Sequence, residues 1–309
     1  MKNLKVYLNK PNENWIVDRL VNEWEENNKE ITADNLNEAN IVWVISPWTY
    51  KDIPKENLKN KIVICTIHHI DFEKFTFIEK IKFNLLDRYV DYYHTISNQT
   101  ENSLKKITKK PIWNNPWWIN QNIWYEIVNK EDLKESLGID KKYFTIGSFQ
   151  RDTEGKDLNS PKLSKGPDRF IEIVLSFHKD KDIQVILTGT RRQYIIQKLE
   201  ENNIKYHYFE MTDLNLLNNL YNCLDLYIVS SRVEGGPQAI YECALTKTPI
   251  ISTDVGVASK FLHEDSIYNM NNFAEAKPNI QHAFNKIQTQ VIPAGFQPFV
   301  NKFKDSIES

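Results

Sequence analysis

Asp225–Gly256 reads DLYIVSSRVEGGPQAIYECALTKTPIISTDVG, and the order of residue types sets a local structure. Leu226–Ser231 has the length and apolar content of a buried strand. Arg232, Val233, Glu234, Gly235 and Gly236 follow as a loop. Pro237 suits the first turn of a helix, where its missing N–H leaves no hydrogen bond unmade. The pattern over Pro237–Lys247 is helical, and Pro249–Ser252 is a second buried strand.

The chemistry of this stretch favours an anionic ligand. Gly235 and Gly236 let another group approach the backbone closely. The N–H groups and positive dipole end of the helix that follows attract negative charge. Gln238 and Glu242 are four apart and share one helix face. Helical side chains lean towards the N-terminus, so Glu242 can accept hydrogen bonds from a ribose diol held there. Glu234 lies on the loop at the carboxyl edge of the sheet, where α/β folds bind ligands.

Outward from this stretch, short apolar runs alternate with amphipathic ones. Strands are expected at Leu4–Leu8, Ile41–Ser46, Ile62–Ile67 and Tyr92–Ser97, then at Tyr143–Phe149, Ile183–Thr188, Leu226–Ser231 and Pro249–Ser252. Helices are expected at Trp15–Asn27, Glu73–Tyr89, Asn98–Ile107, Pro167–Phe177, Arg192–Asn202, Asp213–Cys223 and Pro237–Lys247, with a further one over Phe296–Ile307. Near-continuous apolar strands between helices imply α/β architecture with parallel sheets covered on both faces. Pro111–Trp124 (PIWNNPWWINQNIW) interrupts the series and reads as an interdomain linker. Two Rossmann-like, doubly wound domains are therefore expected, 1–124 and 125–289, facing a central cleft, with the helix near 290–309 packing back on the first.

Composition agrees. A chain of 309 residues, 41% hydrophobic and 26% charged, is folded and long enough for two domains. A net charge of −2 argues against a nucleic-acid partner. Cys65, Cys223 and Cys243 have no CxxC spacing, so neither a zinc site nor a disulfide framework is expected, and a cytoplasmic setting fits. No apolar run reaches membrane-span length, and Met1–Asn14 lacks a signal-peptide pattern. All eight tryptophans lie at or before Trp124. They either pack the core and linker or line an acceptor groove, since aromatic faces stack on sugars and suit lipid headgroups. Lys74–Lys110 carries eight basic and four acidic residues, either a solvated face or a docking surface for anionic lipid at the inner membrane face.

The Glu234–Glu242 stretch resembles the E-x7-E motif of retaining glycosyltransferases of the GT-B fold, family 4 type, and PIISTDVG resembles the strand and glycine turn after that motif's helix. Further elements support the likeness. Lys165-Gly166-Pro167 resembles the family's Lys-Gly element at a helix entry. Gly147 ends a strand as in the family's Gly-Arg, but Ser148 follows it and the nearest arginine is Arg151. Ile62–Asp71 (IVICTIHHID) resembles the strand ending in Thr-(Val/Ile)-His, which implies a role for His68 at the donor sugar or acceptor. Thr188–Arg191 (TGTR) resembles the strand-end glycine loop near the nucleotide, with Thr190 in it. The loop after the first strand, Asn9–Asn14 (NKPNEN), departs from the family in having no glycine.

The resemblance implies a metal-independent transferase that moves a sugar from a UDP- or GDP-linked donor to a glycan or lipid-linked acceptor, without a cofactor. Glu234, His68, Lys165 and Arg151 would be catalytic. Glu242, Gly235, Gly236, Pro237, Gln238, Gly147 and Thr190 would hold the donor. A sugar-nucleotide epimerase and a non-catalytic nucleotide-sugar-binding protein are the alternatives. Two metal readings carry less weight: Asp180-Lys181-Asp182 spells a D-x-D but precedes a strand, and His68, His69 and Asp71 lack further ligands at suitable spacing. No GxGxxG follows a strand, and neither GxxxxGK[ST] nor GxSxG occurs.

Overall fold

A computed structural model describes residues 3–13, 16–156 and 158–308. The chain divides into two compact units. Unit 1 is Met1–Trp118 with Gln290–Ser309, and unit 2 is Ile119–Thr289.

Unit 1 holds a parallel sheet of β1 (Val6–Leu8), β2 (Ile41–Val44), β3 (Ile62–Ile67), β4 (Tyr92–Thr95) and β5 (Ile112–Asn114), in that order. Alternation along β2 feeds two cores. Ile41 and Trp43 face one, with the helix Ile16–Asn27 and the helix Gln297–Glu308; Val42 and Val44 face the other. The first core is an aromatic cluster. Trp24 lies 5.5 Å from Trp43 and 5.6 Å from Phe303, and Trp117 stacks on Phe299 at 5.7 Å. Pairs at such edge-on and offset geometries contribute beyond the area they bury. The tail helix is thus part of this unit's core.

The boundary between the two units, after Trp118, falls inside Pro111–Trp124, yet the segment also forms regular structure. Ile112–Asn114 within it form β5, paired to β4, and Trp117 and Trp118 are buried. Clustered prolines and asparagines hid this three-residue strand, whose central residue, Trp113, packs against Phe299 at 4.9 Å. The first helix begins, among the described residues, at Ile16; Trp15 and Asn14 lie outside them.

Unit 2 holds β6 (Phe144–Ser148), a two-stranded antiparallel hairpin of β7 (Thr153–Glu154) and β8 (Ser160–Pro161), then β9 (Ile183–Thr188), β10 (Lys205–Phe209), β11 (Leu226–Val229), β12 (Ile250–Thr253) and β13 (Ile267–Tyr268). Its six-stranded parallel sheet runs β10-β9-β6-β11-β12-β13. Strand order therefore reverses between β6 and β11, and such a reversal opens a crevice at the carboxyl ends of the strands. The helices Pro167–Asp180 and Gln193–Glu201 bury Phe170, Val174, Ile195 and Leu199 against β6, β9 and β11. β10 was missed in the sequence because Lys205, His207 and the tyrosines beside them alternate at the sheet's rim and never form an apolar run.

Candidate functional site

The loops leaving β6 and β11 meet at the point of reversal. Gly166 holds them together. Its φ is +63°, and a Cβ there would fall 1.9 Å from the carbonyl oxygen of Ser230. Only glycine fits, on conformation and on space. The backbone N–H groups of Arg232 and Val233 donate to the Ser164 carbonyl at 2.8 and 3.1 Å. Arg232 also grips Asp168 with both guanidinium nitrogens, at 2.7 and 2.5 Å, and this fork holds the Asp168 carboxyl below the usual range.

That clamp brings Lys165 onto Glu234. The Lys165 ammonium bonds Oε1 of Glu234, and Ser231 Oγ donates to the same oxygen at 3.1 Å. Two residues 69 positions apart in the sequence are thus direct partners. Arg151 lies near Lys165: with Ser148, Gln150 and Ser230 the two border one narrow gap that is closed to a water-sized group. Gly256, at φ +58°, packs so closely that a Cβ would lie 2.5 Å from the Gly235 carbonyl oxygen, which fixes the Gly235-Gly236 turn. Pro237 immediately precedes the helix Gln238–Thr246.

Glu242 is only 5% exposed. Its Oε2 accepts a 2.7 Å hydrogen bond from the hydroxyl of Tyr221, on the helix Leu214–Asn222. Burial and the neighbouring carboxylate push the Tyr221 phenol well above its ordinary range, so it stays a donor. Tyr221 lies 4.8 Å from the ring of Phe149 and 5.5 Å from that of Tyr227. Sequence reasoning missed Tyr221, since no motif ties it to Glu242.

It also missed Arg192. This fully buried guanidinium pairs with Asp152 at 3.1 Å, donates to Ser148 Oγ at 3.2 Å and bonds the Gln150 carbonyl. It therefore ties down the backbone beside Arg151. Gly147 plays a packing part, since a Cβ there would fall 2.3 Å from the Leu224 side chain, and Thr190 stands exposed after Gly189. The long stretch before Lys165 is the β7–β8 hairpin, anchored where Lys162 N–H donates to the Asp152 carbonyl at 2.7 Å. Asp180 and Asp182 are exposed at a helix end and a strand entry. Among the described residues, no three His, Cys, Asp or Glu side chains are grouped to hold a metal ion.

His68 belongs to unit 1, just past β3. Its Nε2 donates to the Ile45 carbonyl at 2.9 Å, and its ring lies between Trp48 at 6.1 Å and Trp117 at 5.9 Å. Burial pushes its pKa down to about 4, despite that hydrogen bond. His94, wholly enclosed, is lowered to about 3 for the same reason. Both folded values lie below the unfolded one, so the unfolded chain binds more protons between them. The stability they contribute is full above about pH 6.5 and is lost as the pH falls towards 4. Asp152, in unit 2, is raised to about 6 by burial and acts with the opposite sign, favouring the folded state on acidification. The melting transition of unit 1 is expected to weaken by a few kcal/mol between pH 7 and pH 4.5, at about 1.4 kcal/mol per pH unit and group. A melt followed by tryptophan fluorescence reads this, and His68→Gln should flatten the slope. An unchanged midpoint across that range would contradict the buried neutral histidines.

Residues 159–290 match the family model described as "Glycosyl transferases group 1". No curated protein sequence matches the chain. Solved structures do. Anabaena Alr3699/HepE in complex with UDP and glucose superposes with a TM-score of 0.76 at 11% identity, over 98% of this chain and 99% of that one. A glycosyltransferase from Rickettsia africae ESF-5 gives 0.68 at 14% identity, over the whole of both chains. Sucrose-phosphate synthase from Thermosynechococcus elongatus gives 0.69 at 13% identity, over 87% of this chain and 74% of that one. At such identities the likeness is one of fold. The chain has the GT-B fold, and the segment that matches the group 1 glycosyl transferase model carries Lys165, Glu234 and Glu242.

Proposed function

We propose that the protein is a retaining, metal-independent glycosyltransferase of the family 4 type, using a nucleoside-diphosphate-sugar. The observation that carries this is the contact of Lys165 with Glu234 at the reversal of the second sheet, one loop before the helix of Glu242. The donor diphosphate would lie against the Gly235–Gln238 turn and the start of that helix. Lys165 and Arg151 would take up the charge that develops as it leaves, in place of a metal. Glu234 would orient donor hydroxyls and Glu242 the ribose. The acceptor oxygen bonds to the anomeric carbon on the face from which the diphosphate departs, and its proton passes to the leaving phosphate. Unit 1, with His68, would supply the acceptor side. Structures of Alr3699/HepE with UDP and with UDP-glucose support a uridine donor as the first to test.

A thermal-shift series with UDP, GDP, ADP and CMP, each with and without EDTA, tests the donor site. One nucleoside diphosphate at a hundred times its Kd should stabilise by about 2.7 kcal/mol, and EDTA should change nothing. Glu242→Ala should abolish most of that shift. A shift that vanishes with EDTA would refute metal independence, and an unaltered shift in Glu242→Ala would remove its ribose role.

The membrane contact rests on a different observation. The helix Phe77–Asp87 buries only Leu86 and leaves Phe77, Ile78, Ile81 and Leu85 exposed, with Phe72 and Tyr89 beside it. Lys74, Lys80 and Lys82 stand exposed among them, and the Lys106 ammonium lies 5.4 Å from the Phe72 ring. No helix among the described residues is long and apolar enough to cross a membrane. An apolar strip edged by lysines instead suits the interface of an anionic bilayer, each lysine near the surface contributing about 1 kcal/mol, apart from Lys82, which pairs with Glu79 at 2.7 Å. Vesicles with phosphatidylglycerol should carry the protein in flotation while pure phosphatidylcholine does not. Phe77→Ser with Ile81→Ser should cut the bound fraction several-fold. Equal flotation on both vesicle types would contradict the charge-assisted contact.

A further inference from the structure

The carboxyl edge of the first sheet gathers groups that the donor side does not use. After β1, the N–H groups of Asn12 and Glu13 both donate to one carboxylate, Asp18, at 2.8 and 2.7 Å. Asp18 is buried in the first turn of the helix Ile16–Asn27. Adjacent N–H groups at a loop-to-helix entry form a natural anion cradle. Here an internal carboxylate fills that cradle, and its charge repels a phosphate.

Beside this loop, Trp48 is 48% exposed. Its indole N–H donates to Glu13 Oε1 at 3.1 Å, which holds the ring in place. The ring inclines at 35° to that of His68, which in turn lies 34° from Trp117. The platform is thus backed by packed rings rather than by solvent. Glu13 is exposed, so its second oxygen can accept from a ligand hydroxyl. A fixed aromatic face next to a carboxylate matches the two sides of a sugar: C–H groups on the ring, hydroxyls on the acid.

We propose that Trp48 and Glu13 bind the acceptor as a neutral, hydroxyl-rich sugar, and that the Asn12 and Glu13 N–H groups are closed to a phosphate. This rests on reading the chain as a sugar transferase and adds the class of acceptor. The anionic alternative would need the Asn12 and Glu13 N–H groups, which Asp18 occupies.

Saturation-transfer NMR on the full chain tests the assignment. The probes are maltose, cellobiose and lactose, with glucose 6-phosphate and glycerol 3-phosphate as anionic counterparts. At least one neutral disaccharide should receive saturation, and the anionic probes should not. Trp48→Ala should weaken that binding about tenfold, the weight of one aromatic stacking contact, while Trp48→Phe keeps a flat face and most of the affinity. Binding of the anionic probes alone, no binding of any neutral disaccharide, or unchanged binding in Trp48→Ala would each overturn the proposal. Nucleoside diphosphate binding in the same samples reads the donor site separately. Its loss in the unmodified protein would sink the transferase reading without touching the sugar result.

Discussion

Lys165→Ala is expected to lower kcat/KM for sugar transfer by on the order of 10²-fold or more, the scale of a lost transition-state contact. The reason is local. The Lys165 side chain is about three-quarters buried, its ammonium on Glu234, on a loop whose backbone is fixed by Ser164, Arg232 and Gly166. No flexible lysine has to search for the leaving diphosphate, so its charge is available without reorganisation as the bond breaks. Removing it also leaves Glu234 with only the Ser231 hydroxyl on the same oxygen, at 3.1 Å. Two negative groups, the carboxylate and the diphosphate, would then face each other with one cation fewer. Most of the loss should appear in kcat, because the charge grows as the transition state forms. Lys165→Arg should recover part of the rate. Near-normal turnover in Lys165→Ala would mean that the ion pair only shapes the loop.

Gly166→Ala should be the most damaging single methyl group in unit 2. A Cβ would lie 1.9 Å from the Ser230 carbonyl oxygen, and that atom is backbone at the end of β11, with no rotamer to yield. Relief requires pulling the Lys165 loop away from the Glu234 loop, which dismantles the site. A destabilisation above about 3 kcal/mol is expected, the range of severe core disruptions, with nucleotide binding lost alongside. Gly189→Ala is the control. Gly189 has φ +81°, a conformation equally unfavourable to alanine, but nothing lies within 4 Å of the added carbon. It should cost only about 1–2 kcal/mol, the conformational part alone. Equal losses in the two variants, read from chemical denaturation, would show that close approach at Gly166 is not what binds the loops.

The contrast between these glycines indicates how far the sequence could be read. Apolar runs located β3, β6, β9, β11 and β12, because strands covered on both faces must be continuously apolar. The Glu234–Glu242 stretch and Lys165-Gly166 were legible because glycines, a proline and a carboxylate pair stand in a fixed order. What the sequence could not show is adjacency. That Gly166 touches Ser230, that Lys165 meets Glu234, and that Tyr221 caps Glu242 depend on which strands lie side by side. Arg192 is legible in the sequence only as a helix start, yet it is entirely enclosed, with Asp152, Ser148 and the Gln150 carbonyl around it. The tryptophans divide by the same logic. Trp24, Trp43, Trp117, Trp118 and Trp124 fill cores, and Trp48 keeps an exposed face.

Phe299 and Phe303 complete the aromatic core of unit 1 from the far side of unit 2 in the chain. On the ribosome, residues 119–289 emerge in full while Trp24, Trp43 and Trp117 still await those two rings. Unit 2 can close on its own as it appears, but unit 1 must hold an open tryptophan-lined face until synthesis has passed Phe303. Chaperone dependence should therefore concentrate in the half made first, and a stop codon near position 295 should discard the older half of the protein while sparing the newer one.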